Sequence, residues 1–375
     1  MKTKGAVIWG VGEPWSVEDI EIGEPRRGEV LVRMEAAGLC HSDHHVVSGN
    51  VPGATFPILG GHEGAGVVVD VGPGVEDLAI GESRCHVLHP SCGKCRSCQS
   101  GNRNLCDMDV HLLGGASISD GSYRVHARGR DVHPMSLLGT FAPWAVVHQS
   151  SVVKVDPSIS FEVACLVGCG VTTGYGAAVH TADVRPGDDV AVIGAGGVGT
   201  AALQGALLSG ARRVFVVDPV EWKRTQATKF GATHTYSTLE SAADGIAEAT
   251  AGRMCKTVIV TVGECDGREA ESWLHLTAKN GTCVIAGMGS VTASEAMLNL
   301  SLLARSQKNL RGSIFGGGNP HLDIPEALAL YKLGDLRIDD MVTREYRLDQ
   351  INDGYRDMIE GRNIRGVIRF TDADR

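Results

Sequence analysis

The 375-residue sequence predicts an α/β chain of two domains, in which a nucleotide-binding fold is inserted into the sequence of a strand-rich, partly closed β-barrel. Three observations carry that expectation. A glycine turn links a β-branched strand to a helix near the middle of the chain. Strand and helix patterns alternate after that turn, and short strands with close turns fill the region before it. The length also exceeds what one simple core accommodates.

In chain order, residues 5–9, 16–22 and 29–35 read as entry strands, the last following the turn at 25–28. They lead to Gly38-Leu39-Cys40-His41-Ser42-Asp43-His44-His45, a dense run of soft and ionisable groups. Residues 57–66 set His62 and Glu63 between glycine turns, ahead of a valine-rich strand. Next comes Cys92-x2-Cys95-x2-Cys98-x7-Cys106, whose short separations let thiolates converge on one tetrahedral ion. Four thiolates with no histidine fit structural zinc, with an iron–sulfur cluster or unmetallated thiols as the alternatives. Residues 107–145 read largely as loop, and strand character returns at 144–147 and 152–155. A short helix at 161–166 delivers Gly168-Cys169-Gly170, and another helix begins at Thr173.

The middle of the chain is organised around Gly194-Ala195-Gly196-Gly197-Val198-Gly199. A buried strand at 189–193 precedes it, an alanine- and leucine-rich helix at 200–209 follows, and a second strand at 213–217 ends in Asp218. This order is the dinucleotide-binding pattern. Gly194 makes the tight turn, Gly196 lets the backbone approach a pyrophosphate, and Gly199 lets helix and strand pack closely. The helix start offers free N–H groups to the phosphates. Asp218 is placed to accept hydrogen bonds from ribose hydroxyls and to repel a 2'-phosphate, which favours NAD over NADP. Helices at 221–230, 242–250 and 272–278 alternate with strands at 256–262, 281–286 and 309–315, so the sheet is expected to be largely parallel and covered on both faces. After Gly316-Gly317-Gly318, helices at 324–333 and 348–361 and a strand at 365–370 return to the first domain. The expected division is 1–170, 171–314 and 315–375.

Composition excludes several classes. Charged residues make up 21% and hydrophobic ones 43%, as in ordinary globular proteins. A formal charge of −9 opposes broad nucleic-acid binding. The opening residues lack a basic segment followed by an apolar one, and the uncharged run at 190–211 fits a buried fold better than a membrane span, so a cytoplasmic protein is expected. Eleven cysteines, an odd and clustered set, point to metal or catalysis rather than a disulfide framework. Cys85, Cys165, Cys255, Cys265 and Cys283 are expected as buried small hydrophobes.

Cys40, His62 and Cys169 are attractive together because two thiolates and one imidazole bind zinc and leave a fourth position open. Spacing alone does not unite them. The signature Gly61-His62-Glu63-x2-Gly66, the four-cysteine lobe, Gly168-Cys169-Gly170 and the nucleotide turn, taken in that order, resemble the zinc-dependent medium-chain alcohol dehydrogenases from end to end. The similarity is greatest to the actinobacterial N,N-dimethyl-4-nitrosoaniline-dependent branch. The resemblance implies a GroES-like barrel domain, a Rossmann NAD-binding domain and two zinc ions per subunit. Catalytic zinc would be held by Cys40, His62 and Cys169, with Glu63 near it and Asp43 orienting His62. Structural zinc would be held by Cys92, Cys95, Cys98 and Cys106. Ser42 would take the substrate proton and His45 would release it to solvent. Lys223 would lie near the adenosine ribose with Asp218, Arg365 near the pyrophosphate, and Thr173 and Val198 beside the nicotinamide. The departure is His41, where many relatives carry an arginine that touches the pyrophosphate. The resemblance further implies a homodimer acting on a small alcohol or aldehyde. Tightly bound NAD recycled by an external electron acceptor, thiol-dependent formaldehyde oxidation, and a non-enzymatic nucleotide sensor are the alternatives.

Overall fold

The computed structural model describes the chain apart from residues 113, 292 and 294. It resolves into two units: residues 1–169 with 319–334 and 338–375, and residues 170–318 with 335–337.

The first unit contains two sheets. Lys2–Ile8, Ser16–Ile22, Val125–Ala127, Arg130–Pro134 and Ile58–Leu59 form a closed barrel. Val7, Ile20, Ile22, Leu59, Val125 and Val132 alternate inward and fill it. The two strands at 125–134 fall within the segment expected as loop. They are three and five residues long and carry His126, Arg130, Asp131 and His133, so no apolar alternation marks them. The second sheet has seven strands, ordered Val152–Lys154, Ser83–His86, Glu63–Val71, Glu29–Gly38, Arg365–Arg369, Val342–Tyr346, with Trp144–His148 also pairing with Glu29–Gly38. Glu29–Gly38 and Glu63–Val71 run antiparallel with Gly38 opposite Glu63. That register brings the chain just after one strand, at Cys40, beside the chain just before the other, at His62. The helix Phe161–Val167, capped by Ser160 Oγ accepting from Val163 N at 3.4 Å, packs on both strands and ends just short of Cys169.

The second unit is a six-stranded sheet ordered His234–Tyr236, Arg213–Val217, Asp189–Ile193, Cys255–Val260, Thr277–Ile285, Asn309–Gly312, with every neighbour parallel. Asp189–Ile193 is buried at all five positions, as a central parallel strand covered on both faces must be. Ala191, Ile193, Phe215, Val258 and Val260 pack with Ala242 and Ile246 of the helix Leu239–Ala249. Among the described residues no single helix is long and apolar enough to cross a membrane.

Candidate catalytic and structural metal centres

Cys40, His62, Glu63 and Cys169 converge, each with one ligand atom within 4.8 Å of the others'. All four are buried, His62 and Glu63 completely. Cys40 is the residue before the helix His41–Val47, and the first turn of that helix carries Asp43 inward. Asp43 Oδ2 lies 3.0 Å from His62 Nδ1, and its Oδ1 accepts a hydrogen bond from Gly61 N at 2.8 Å. His62 Nε2 is buried without a hydrogen-bond partner. An imidazole whose one nitrogen faces a carboxylate and whose other is a buried orphan is arranged as a metal ligand oriented by an outer carboxylate.

The charges agree. A hydrogen bond with Cys169 is the largest influence on Cys40 and lowers its pKa well below the ordinary thiol value; burial opposes this and His62 assists. The same bond, with burial and the charge on Cys40, raises Cys169 well above that value. Burial disfavours a charged His62, but Asp43 and Cys40 outweigh it and raise its pKa well above the ordinary range. Two cysteine sulfurs and one imidazole nitrogen gathered at one buried point form a donor set that fits zinc.

Glu63 pairs with the buried guanidinium of Arg365, which also donates to Leu39 O at 3.1 Å. Breaking a buried pair by removing one partner costs on the order of 3–5 kcal/mol, so each anchors the other. This pairing was not legible in the sequence, although an arginine beginning the otherwise apolar run Gly366-Val367-Ile368 is a sign of a buried partner. Ser42 Oγ lies 3.6 Å from Cys40 Sγ. His45 is buried, with Nδ1 3.4 Å from Asn50 Nδ2. The half-buried His41 ring has its centroid 6.5 Å from that of His45.

Cys92, Cys95, Cys98 and Cys106 also lie within 4.8 Å of one another. Cys95 and Cys106 Sγ are 3.9 Å apart and unbonded. Zinc–sulfur bonds of about 2.3 Å in a tetrahedron set sulfurs roughly 3.8 Å apart, so the spacing fits that ion. Backbone N–H groups point at the sulfurs, from Cys95 to Cys92 at 3.3 Å and from Cys98 to Cys95 at 3.4 Å. Donors from Lys94 and Cys95 lower Cys92 to about 6. Among the other cysteines, Cys85, Cys165, Cys255 and Cys283 are buried and Cys265 is half-buried.

In the second unit, Gly194 has φ +97°, and a Cβ at Gly199 would stand 1.9 Å from Gly194 O. A Cβ at Gly196 would meet nothing within 4 Å. The helix Gly197–Leu208 starts there without a side-chain cap, so its first N–H groups are available to an anion. Asp218 is buried, with its carboxylate accepting from Ala195 N and Val220 N, each at 2.8 Å. It is thereby fixed against the glycine turn. Thr173 lies on the helix Gly170–Gly176, where Gly174 packs against Val198 O. Lys223 is half-buried on the helix Glu221–Lys229. Open space at the glycine turn, a helix start without a side-chain cap and a fixed acid fit NAD.

Family models agree with both halves. The alcohol dehydrogenase GroES-like domain matches residues 26–157, and the zinc-binding dehydrogenase model matches residues 197–332. Alcohol dehydrogenase B of Mycobacterium tuberculosis is 64% identical over the whole of both chains. The NDMA-dependent alcohol dehydrogenase of Amycolatopsis methanolica is 44% identical over 98% of this chain and 99% of its own. The crystal structure of benzyl alcohol dehydrogenase from Acinetobacter calcoaceticus superposes with a TM-score of 0.92 at 28% identity, covering 99% of this chain and 100% of that one.

Proposed function

Because the chain belongs to the zinc-dependent medium-chain alcohol dehydrogenase family, we propose that it interconverts primary alcohols and aldehydes at the Cys40–His62–Cys169 site, with NAD as hydride carrier. The observation that carries this reading is the convergence of those three sequence-distant donors on one buried point, with the orphaned Nε2 of His62 among them. Zinc bound there supplies Lewis acidity toward the alcohol oxygen, NAD supplies the hydride acceptor, and a second zinc at the four cysteines supplies a cross-link.

The residues divide the remaining work. Asp43 holds His62 in the orientation that leaves Nε2 for the metal. The short approach of Ser42 to Cys40 supports Ser42 as acceptor of the substrate's hydroxyl proton, and His45, close behind on the same helix turn, as the base that passes it on. Glu63 neutralises Arg365 and stands beside the metal donors. His41 provides a weak contact for the pyrophosphate. Gly194, Gly196, Gly197 and Gly199 cradle the phosphates, Thr173 and Val198 border the nicotinamide, and Asp218 and Lys223 take the adenosine ribose.

The outer strand Asn309–Gly312 is exposed throughout, with Leu310 and nearby Ile314 each 40% exposed. An exposed outer strand supports pairing with a second copy. Sedimentation equilibrium is expected to give twice the chain mass, and a monomer would oppose this.

The experiment is to add a primary alcohol to protein purified without nucleotide and follow nicotinamide absorbance. The reading predicts reduced nicotinamide in solution once NAD is supplied, and none with zinc-loaded protein contradicts it. The 44% identity to an NDMA-dependent enzyme supports a second reading, in which NAD stays bound and an external acceptor reoxidises it. That version predicts reduction before NAD is added and its discharge by a nitrosoaniline.

A further inference from the structure

Tyr355 sits on the helix Ile351–Ile359, more than three hundred residues after Asp43, and is buried to within 5%. Its ring is locked by two others. Trp15 stacks on it at 5.4 Å and 26°, and Phe141 meets it edge-on at 6.2 Å and 72°. Trp15 and Phe141 themselves pack edge-to-face at 5.5 Å. Asn352, three residues earlier on the helix, clamps Trp15 by accepting from its N–H at 3.0 Å and donating to its carbonyl at 2.9 Å. This aromatic box packs on the turn that precedes His62. A Cβ at Gly60 would meet the Trp15 ring at 2.3 Å, and one at Gly61, which has φ +88°, would meet Phe141 at 2.6 Å. The turn is therefore moulded to the aromatic rings.

Two polar atoms in this apolar setting are left over. Tyr355 Oη is buried without a geometrically complete hydrogen bond, and so is Asp43 Oδ2, the oxygen 3.0 Å from His62 Nδ1. After burial, the Asp43 carboxylate is the strongest influence on the tyrosine hydroxyl, followed by Cys40 and then a hydrogen-bonding interaction with Asp43. The Tyr355 hydroxyl is a buried donor without a complete hydrogen bond, and the Asp43 carboxylate that acts on it has an oxygen with room for a second contact besides His62.

We infer that Tyr355 is a positioning residue of the catalytic metal site: its hydroxyl donates to Asp43, and with Gly61 N it holds that carboxylate against His62. The aromatic box fixes the ring so that the hydroxyl has one place to go. The inference rests on the zinc reading of the Cys40–His62–Cys169 site and extends it by one residue outward.

The test uses the full chain with both metals bound. Tyr355→Phe keeps the ring and its stacking and removes only the donor. Zinc release to a competing chelator is followed by a metal-sensitive dye. Outer partners of zinc-bound histidines change metal affinity by about 10–100-fold, so Tyr355→Phe is expected to release the catalytic ion several-fold faster. Release from the four-cysteine lobe stays at the wild-type rate. In an Asp43→Ala background, which removes the acceptor, the added Tyr355→Phe change is expected to have no further effect, because the hydroxyl acts through Asp43. A general loosening of the fold would speed both ions and add to Asp43→Ala. Unchanged catalytic-ion release in Tyr355→Phe, or full additivity with Asp43→Ala, overturns the inference. A wild-type protein that binds only one zinc overturns the metal reading itself, and the inference with it.

Discussion

At the scale of single residues, this chain places charge and chemistry in a dry interior. His86 is a clear case outside the donor set. It is fully buried on the strand Ser83–His86, its Nδ1 lies 3.2 Å from Gly64 O, and its Nε2 has no partner. Burial pushes its pKa from 6.5 down to about 4. The folded value lies below the unfolded one, so the unfolded chain takes up the proton first. The stability contributed by neutral His86 is therefore whole above pH 6.5 and is lost as pH falls toward 4. The shift corresponds to ~3 kcal/mol at most. Denaturant unfolding between pH 7 and 4.5 should show a shallower acid loss in His86→Gln than in wild type. Parallel profiles would contradict the assignment.

Residue-scale roles were unevenly legible. The cysteine spacing at 92–106 and the His62–Glu63 turn stand out in sequence because ligands for one ion cluster locally or sit between glycines. Tyr355 does not, since it occupies a position indistinguishable from core on an amphipathic helix, and only folding carries it to Asp43. The Arg365–Glu63 pair is hidden for the same reason, its partners being 302 residues apart.

At the scale of elements, the glycine turn separates two functions that one motif combines. Gly199 is needed by the fold, because a Cβ there would overlap the Gly194 carbonyl. Gly196 has open space around it, so a side chain there meets no part of the fold within 4 Å. Gly199→Ala is expected to destabilise the protein by about 1–3 kcal/mol through overpacking. Gly196→Val is expected to leave stability within about 0.5 kcal/mol while weakening NAD binding roughly tenfold or more, a loss of about 1.4 kcal/mol. Thermal unfolding and nucleotide titration of the two variants check this, and equal stability losses would show that the space at Gly196 is not a ligand's. The parallel strands around this turn were readable from β-branched runs. The helix His41–Val47 was not, because its histidines, serine and aspartate carry no apolar period. The barrel strands at 125–134 were missed because each is short and polar.

At the scale of the whole molecule, sequence order and spatial order diverge. The first unit is assembled from three stretches of chain, and the nucleotide-type sheet is built almost wholly from one. The strand Arg365–Arg369 pairs with Glu29–Gly38 and so carries Arg365 to Glu63, beside Cys40, His62 and Cys169. The two cysteine-containing centres share no residue, so each should load and fail independently.

That independence makes the most direct test of the account a joint measurement of zinc content and alcohol-driven nicotinamide reduction in wild type and His62→Ala. The account predicts two zinc ions and reduction in wild type, and in His62→Ala one zinc ion, retained NAD binding and no reduction. A His62→Ala protein that reduced NAD at the wild-type rate would contradict the claim that alcohol oxidation is carried out at the Cys40–His62–Cys169 site.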